Sequence, residues 1–439
     1  MEWWLVLALI FGSLILLLFS GLPVAFCFVV INVGGVLLFW GGEAGLRQLS
    51  LSMFDSVTTF TLLPFPLFVL LGEVLFQSGI ALRAIDIVDM WLGRLPGRLS
   101  LLSVGAGVVL STLSGSSVAS VAILGSTMVT EMGKRGYRKT MILGPLVASG
   151  GLAMMIPPSG MAVFLASLAY VSVGRLLMAG IIPGLMMAVL YALYITVRCS
   201  LNPSLGPPYE VAPMPLSKKI RFTLRDLLPV AIIIFLVIGV ILLGIATPSE
   251  AAAMGALGSF VLAACYRRLN WEVIKRCIVI SSRIAVMLMA IMLGATAFSQ
   301  ILVFSGCMKG ITAWVMSVPV APIVVIIGMQ GIALILGCFM DEVAIMMMVV
   351  PLYMPIVRLL GFDPLLFVLL LLINVETGLA SPPFGLGLFV MKGVAPPDTR
   401  TSELYRSVIP FVLLNIVVMG LCMIFPRIPL WLPDVMKVG

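Results

Sequence analysis

The chain has 439 residues, 62% of them hydrophobic and only 10% charged. That balance excludes a water-soluble domain, which has no interior large enough to hide so much apolar surface, and points to a chain that resides in lipid. The formal charge of +8 comes from residues scattered between apolar runs, so it forms no nucleic-acid face, and the lack of any His excludes His metal sites, His catalysis and His proton relays on this chain.

From the N-terminus, Met1-Glu2-Trp3-Trp4 has no basic stretch, so the first apolar run, 3–20, reads as a retained span with interfacial Trp rather than a cleaved signal. Runs 22–40 and 61–80 follow as spans. Run 99–132 is apolar but interrupted by Ser114-Gly115-Ser116-Ser117. Run 139–170 contains Gly150-Gly151 and Pro157-Pro158-Ser159-Gly160, and 179–198 closes the first half. Residues 199–226 carry Pro203, Pro207, Pro208, Pro213 and Pro215 beside Lys218, Lys219 and Arg221, which predicts a cytoplasmic linker. Beyond it lie runs 228–246, 248–266 and 284–305, then 320–357, interrupted from Gly337 to Glu342. Run 364–391 is broken between Asn374 and Gly385, and 407–425 is the last.

Ten of these runs are long enough to cross. The arms of 99–132 and 320–357 are read as too short for ~30 Å of hydrocarbon at 1.5 Å per residue, and are expected to be re-entrant hairpins. Segments 42–56, 83–97 and 267–281 mix charges with apolar residues and are expected along the membrane surface. The seven Cys lie in or beside apolar runs without any CxxC pair, and read as small buried hydrophobes.

The chain repeats itself. Pro23 recurs as Pro248, Gly136 as Gly361, Pro157-Pro158 as Pro382-Pro383 and Gly160 as Gly385, each 225 positions on. At the same shift Ser116-Ser117-Val118-Ala119 falls on Asp341-Glu342-Val343-Ala344. With both termini outside, only Arg47, Arg175, Lys309, Arg358, Arg427 and Lys437 of the 26 cations stay outside, so 26 − 6 = 20 lie inside. Five crossings per half is an odd number, so the copies are expected to be mutually inverted. The first hairpin opens inward and the second outward. The expected fold is an all-α polytopic membrane protein of two inverted five-span repeats, 1–198 and 227–439, each with a re-entrant hairpin and a broken helix.

Four polar breaks form two matched pairs. Ser114, Gly115, Ser116 and Ser117 pair with Gly150-Gly151 through Gly160. Gly337 to Glu342 pairs with Asn374, Glu376, Thr377 and Gly378 through Ser381, Pro382, Pro383 and Gly385. A Pro-Pro step ends a helix and frees carbonyls that need partners in lipid. Hydroxyls and unwound carbonyls suit Na⁺, and half-helix N-termini suit a carboxylate. Among acids in apolar runs, Glu250 is expected to cap its helix, Glu73 to lean toward Arg83, and Asp341, Glu342 and Glu376 to be functional. Arg175 and Arg358 are expected to be anchors at the surface. There is no phosphate-binding GxxxxGK[ST], since the one Gly-Lys, Gly133-Lys134, precedes Arg135.

At Ser114 to Ala119, Glu131 to Gly136, Ile156 to Ser159, Gly180 to Gly184, Phe339 to Asp341, and Pro382 to Gly385 leading into Leu388 to Val390, the chain resembles the large membrane subunit of the tripartite ATP-independent periplasmic (TRAP) transporters. The resemblance implies an inner-membrane symporter of organic acids, often C4-dicarboxylates or sialic acids, with no cofactor beyond Na⁺ as coupling ion. It implies two partners, a periplasmic substrate-binding protein and a small four-helix membrane subunit. It also implies an elevator, in which the hairpins with 139–198 and 364–425 move against the other spans.

By position, the Na⁺ ligands would come from Ser114, Gly115, Ser116, Ser117, Gly151, Pro157, Gly337, Asp341, Asn374, Thr377, Gly378 and Ser381. The substrate pathway would take Ser159, Gly160, Glu342, Glu376, Pro383 and Gly385. The family often has Asp-Pro where this chain has Asp341-Glu342, and an apolar residue where it has Glu376. Three other functions are compatible with midplane carboxylates in inverted halves: a Na⁺-translocating subunit of a decarboxylase, an intramembrane hydrolase using Asp341 with another carboxylate, and a passive channel.

Overall fold

The structure is a computed structural model that describes residues 2–58, 60–93, 95–114, 117–207 and 214–436. Arg94, Gly115, Ser116, Pro208, Pro213 and Lys437, and the side chain of Ser114, lie outside the described residues. Among the described residues the fold is all-helical.

The first half comprises α1 (Trp3–Phe19), α2 (Val24–Phe39), α3 (Glu43–Val57), α4 (Pro64–Gln77), α5 (Ile80–Leu92), α6 (Arg98–Ser114), α7 (Ser117–Lys134), α8 (Lys139–Gly151), α9 (Gly160–Leu168) and α10 (Val173–Leu201). The second half comprises α11 (Leu216–Phe222), α12 (Leu228–Leu242), α13 (Pro248–Cys265), α14 (Trp271–Phe304), α15 (Cys307–Ser317), α16 (Pro322–Gly337), α17 (Glu342–Leu359), α18 (Pro364–Leu379), α19 (Leu386–Val394), α20 (Thr401–Ile424) and α21 (Arg427–Val435).

Shifted by 225 residues, α7 becomes 342–359, the bounds of α17, and α5, α6, α8, α9 and α10 fall on α15, α16, α18, α19 and α20 within a few residues. The packing repeats too. Helix α4 lies against α13, and α14, which covers the equivalent of α4, lies against α2. Helices α6 and α7 pair as a hairpin, as do α16 and α17.

Among the described residues, six unbroken helices are long and apolar enough to cross a membrane: α10, the continuous Leu216–Leu242 segment, α13, α14, α17 and α20. Helices α1 and α2, at 17 and 16 residues, are near the ~17-residue lower limit of a span. The spans through 139–170 and 364–391 are each made of two short helices with a break between them, as the Pro-Pro steps require.

Several expectations are corrected. Helix α17 has 18 residues, about 27 Å at 1.5 Å each, and is apolar enough to count as a span, so arm length alone does not separate it from the crossing helices. Of the described residues in the 199–226 linker, α10 runs to Leu201, and a helix resumes at Leu216 and continues into α12 through one π-helical turn, Thr223–Leu227, so the expected linker contains helix. The prolines are spent before that point, and the basic residues that follow are ordinary helix formers. Segment 267–281 is no separate surface helix, because nothing in its sequence stops a helix after Trp271 and α14 continues for 34 residues. Of segment 83–97, residues 83–92 lie in α5, which turns 69° away from α4 at Ser78-Gly79, where Gly79 takes a left-handed φ of +73°. Glu73 accepts a hydrogen bond from Gln77 at 3.0 Å, while Arg83 pairs with Asp226 at 3.5 Å.

Candidate functional site

The two breaks are built alike. In the first half, α8 ends at Gly151, one turn of 3-10 helix follows, and α9 begins after Ser159, whose hydroxyl accepts the Ala162 N–H as an N-cap. Residues from Met141 to Ala169 are buried. A Cβ on Gly150 would stand 2.9 Å from the Val121 nitrogen, so α7 lies directly on the end of α8. Ser117, one turn before Val121, is fully buried with its hydroxyl unpartnered. A Cβ on Gly160 would stand 2.8 Å from the Phe65 ring, which seats α9 on α4. Pro157-Pro158 and Pro382-Pro383 are both cis.

In the second half, Asp341 caps α17 by accepting the Val343 and Ala344 N–H groups at 3.0 and 3.1 Å. The hairpin tip rests on α18 backbone to backbone: a Cβ on Gly378 would stand 2.8 Å from the Gly337 Cα. Asn374 donates to the Gln330 carbonyl and side-chain oxygen at 2.6 and 2.8 Å, tying α18 to α16. Thr377 donates to the Ile373 carbonyl at 2.6 Å, and Ser381 to the Thr377 carbonyl at 2.7 Å. The carbonyls of Leu379, Ser381 and Gly378 converge on Gly385, at 2.5, 2.7 and 2.8 Å from where a Cβ would stand. The Tyr405 hydroxyl donates to the Pro383 carbonyl at 2.6 Å.

The structure therefore brings Gly337, at the start of the second tip, against Gly378, and lays α7 at Val121 on Gly150. It also joins the two pairs: Glu376 reaches across to Gly151, with Oε1 2.8 Å from the Cβ position. Hydroxyl and carbonyl oxygens gathered at a helix break are a donor set that fits a hard monovalent cation. Among the described residues, no three His, Cys, Asp or Glu converge as a transition-metal site would need.

Other candidates resolve as structural. Glu250 closes a capping box with Thr247, accepting its backbone N–H at 2.8 Å. Arg175 pairs with Asp434 at 3.2 Å, and Arg358 donates to the Ala169 carbonyl at 3.4 Å. These arginines line a crevice of about 300 Å³ with Tyr170 and Asp363. A larger crevice, about 720 Å³, separates Thr61–Pro64 and Val171–Gly174 from Gly244–Glu250. Sequence reasoning missed three buried polar ties: Asn374 with Gln330, Tyr191 with Asn415, and Asn32, which donates to the Gly294 carbonyl at 2.8 Å. Their signal was a lone amide or phenol inside an apolar run.

The family model described as "Tripartite ATP-independent periplasmic transporter, DctM component" matches residues 11–428. The C4-dicarboxylate TRAP transporter large permease protein DctM of Pseudomonas aeruginosa is 31% identical, over 91% of this chain and 92% of that protein. Its namesake from Rhodobacter capsulatus is 30% identical, over 98% of this chain and 99% of that protein. In fold, the chain is similar to the YdaH transporter of Alcanivorax borkumensis, with a TM-score of 0.65 at 18% identity over 88% of this chain and 90% of that one.

Proposed function

Because the chain belongs to the DctM family of tripartite ATP-independent periplasmic transporters, we propose that it is the permease of a secondary active importer of organic acids driven by a Na⁺ gradient. It is a multi-pass membrane permease and no enzyme. The observation that carries ion coupling is the oxygen-rich break of α18, where three carbonyls converge on Gly385 beneath the Gly337–Gly378 contact.

In this reading one Na⁺ is held by Ser114–Ser117 with Gly151 and Pro157. A second is held by Gly337, Asp341, Asn374, Thr377, Gly378 and Ser381. Ser159, Gly160, Glu342, Glu376, Pro383 and Gly385 lie along the substrate path, and the N-termini of α9 and α19 offer positive dipole ends to a carboxylate. A C4-dicarboxylate is the substrate named for two relatives. A periplasmic binding protein delivers the acid, a small membrane subunit packs alongside, and the assembly sits in the bacterial inner membrane. The repeats, 1–198 and 227–439, are mutually inverted, and the two hairpins with 139–198 and 364–425 move as an elevator against the other spans. Family membership leaves the decarboxylase-subunit and hydrolase readings without support.

The test is co-reconstitution with the cognate binding protein and small membrane subunit, followed by uptake of solute with and without an inward Na⁺ gradient. Uptake that depends on both is expected. Uptake indifferent to Na⁺ and to the binding protein would overturn the reading.

A further inference from the structure

Glu376 is an acid without a counter-charge among packed helices. It lies on α18, is 2% exposed, and neither of its carboxyl oxygens has a hydrogen-bond partner. Among the described residues, no Lys or Arg forms an ion pair with it. A carboxylate removed from water in this way is costly, and a cation bound to it offsets that cost.

Its position says which cation. Oε1 stands 2.8 Å, and Cγ 2.9 Å, from where a Cβ on Gly151 would be, so an acid of the second half rests on the end of α8 in the first. The preceding residue, Gly150, meets α7: its own Cβ position is 2.9 Å from the Val121 nitrogen. The 3-10 turn that follows, Leu152–Met154, touches both α7 and α18. One helix end thus carries the hairpin arm and the carboxylate side by side. On that arm, one turn before Val121, Ser117 is fully buried and its hydroxyl is unpartnered too. A proton on Glu376 would neutralise the charge and leave Ser117 unserved. A Na⁺ ion at the end of α8 takes an oxygen from each, and oxygen is the ligand a hard cation prefers.

Resting on the Na⁺-driven reading, we propose that Glu376 is a ligand of the first-half Na⁺ site, supplied across the interface by the second half, so that this site carries a formal negative charge. The Ser, Gly and Pro residues of the first half offer the ion only neutral oxygens. A charged ligand strengthens cation binding, and one that comes from the other repeat makes filling of the first site depend on how the two halves are packed.

The experiment is thermal unfolding of the full chain in lipid nanodiscs, followed by Trp fluorescence, while NaCl replaces choline chloride at constant ionic strength. An ion that binds only the native state raises the midpoint as its concentration rises. Glu376→Gln keeps the shape and removes the charge. It should raise the Na⁺ concentration needed for half the rise at least tenfold. Its midpoint without Na⁺ should lie above that of the wild type, because an unpaired buried charge is gone. A purely structural role moves that Na⁺-free midpoint the other way. Ser117→Ala, a smaller change, should raise the half-rise concentration several-fold, and exposed Glu43→Gln should leave both values alone. The proposal is overturned if Glu376→Gln or Ser117→Ala keeps the wild-type Na⁺ response, if the Na⁺-free midpoint of Glu376→Gln falls below that of the wild type, or if the wild-type midpoint ignores Na⁺. A Na⁺-free midpoint that climbs on acidification in the wild type but not in Glu376→Gln, with equal Na⁺ responses, assigns the carboxyl to a proton and also overturns it. The uptake test decides Na⁺ coupling separately: gradient-driven uptake beside an unaltered Glu376→Gln response removes this ligand and nothing else.

Discussion

Thr377 spends its hydroxyl hydrogen on the Ile373 carbonyl, and among the described residues no donor uses its oxygen lone pairs. An oxygen in that position is a ready cation ligand, and Thr377→Ala removes it while keeping the helix. Losing one hydrogen bond or ligand to a charged group is worth about 1.5 kcal/mol, so half-maximal Na⁺ for uptake should rise about tenfold with little change in expression. An unchanged Na⁺ activation curve removes Thr377 from the ion site. Glu250 was legible as a cap from Thr247-Pro248-Ser249 alone, because a capping box is local chemistry. The partner of Arg175 was not, since Asp434 lies 259 positions away.

Between elements, glycine sets the spacing. The hairpin tip approaches α18 only because Gly337 and Gly378 both lack a Cβ. Gly378→Ala should hold the tip off its seat and cut uptake at least tenfold, while Gly331→Ala on the same hairpin, with nothing within 4 Å, should retain it. Equal activity in both variants would show that the tip contact is not needed. A Cβ on Gly144 would meet the Ser407 carbonyl where α8 crosses α20, and overpacking of that kind costs roughly 1–3 kcal/mol. Gly144→Ala should therefore lower the thermal midpoint, and Gly12→Ala, in open space, should leave it alone. Element boundaries followed the sequence wherever Pro or Gly stops a helix. They departed from it at 267–281, where charge marked a surface helix but no stop signal follows and α14 runs through.

For the whole molecule, the 225-residue shift maps α5 to α10 onto α15 to α20 and reproduces the packing of the two halves. If the copies are mutually inverted, Lys134 and Arg358, which end equivalent hairpin arms, face opposite sides of the bilayer. Single cysteines at 134 and 358, in a variant lacking the native seven, should react with an impermeant reagent from opposite sides of oriented vesicles. Labelling of both from one side would end the inverted arrangement.

The one-dimensional chain by itself determined the membrane, the helices, the doubling and the four breaks. Lipid offers the backbone no hydrogen-bond partners, so each place where a helix cannot continue must be written locally in Gly, Pro, Ser or an acid. Tertiary structure alone decided which break faces which: that Glu376 of the second half lies on Gly151 of the first, that Gln330 answers Asn374, and that Tyr191 meets Asn415. Those pairings span from tens to hundreds of residues. They depend on how helices close over one another, and no local spacing encodes that.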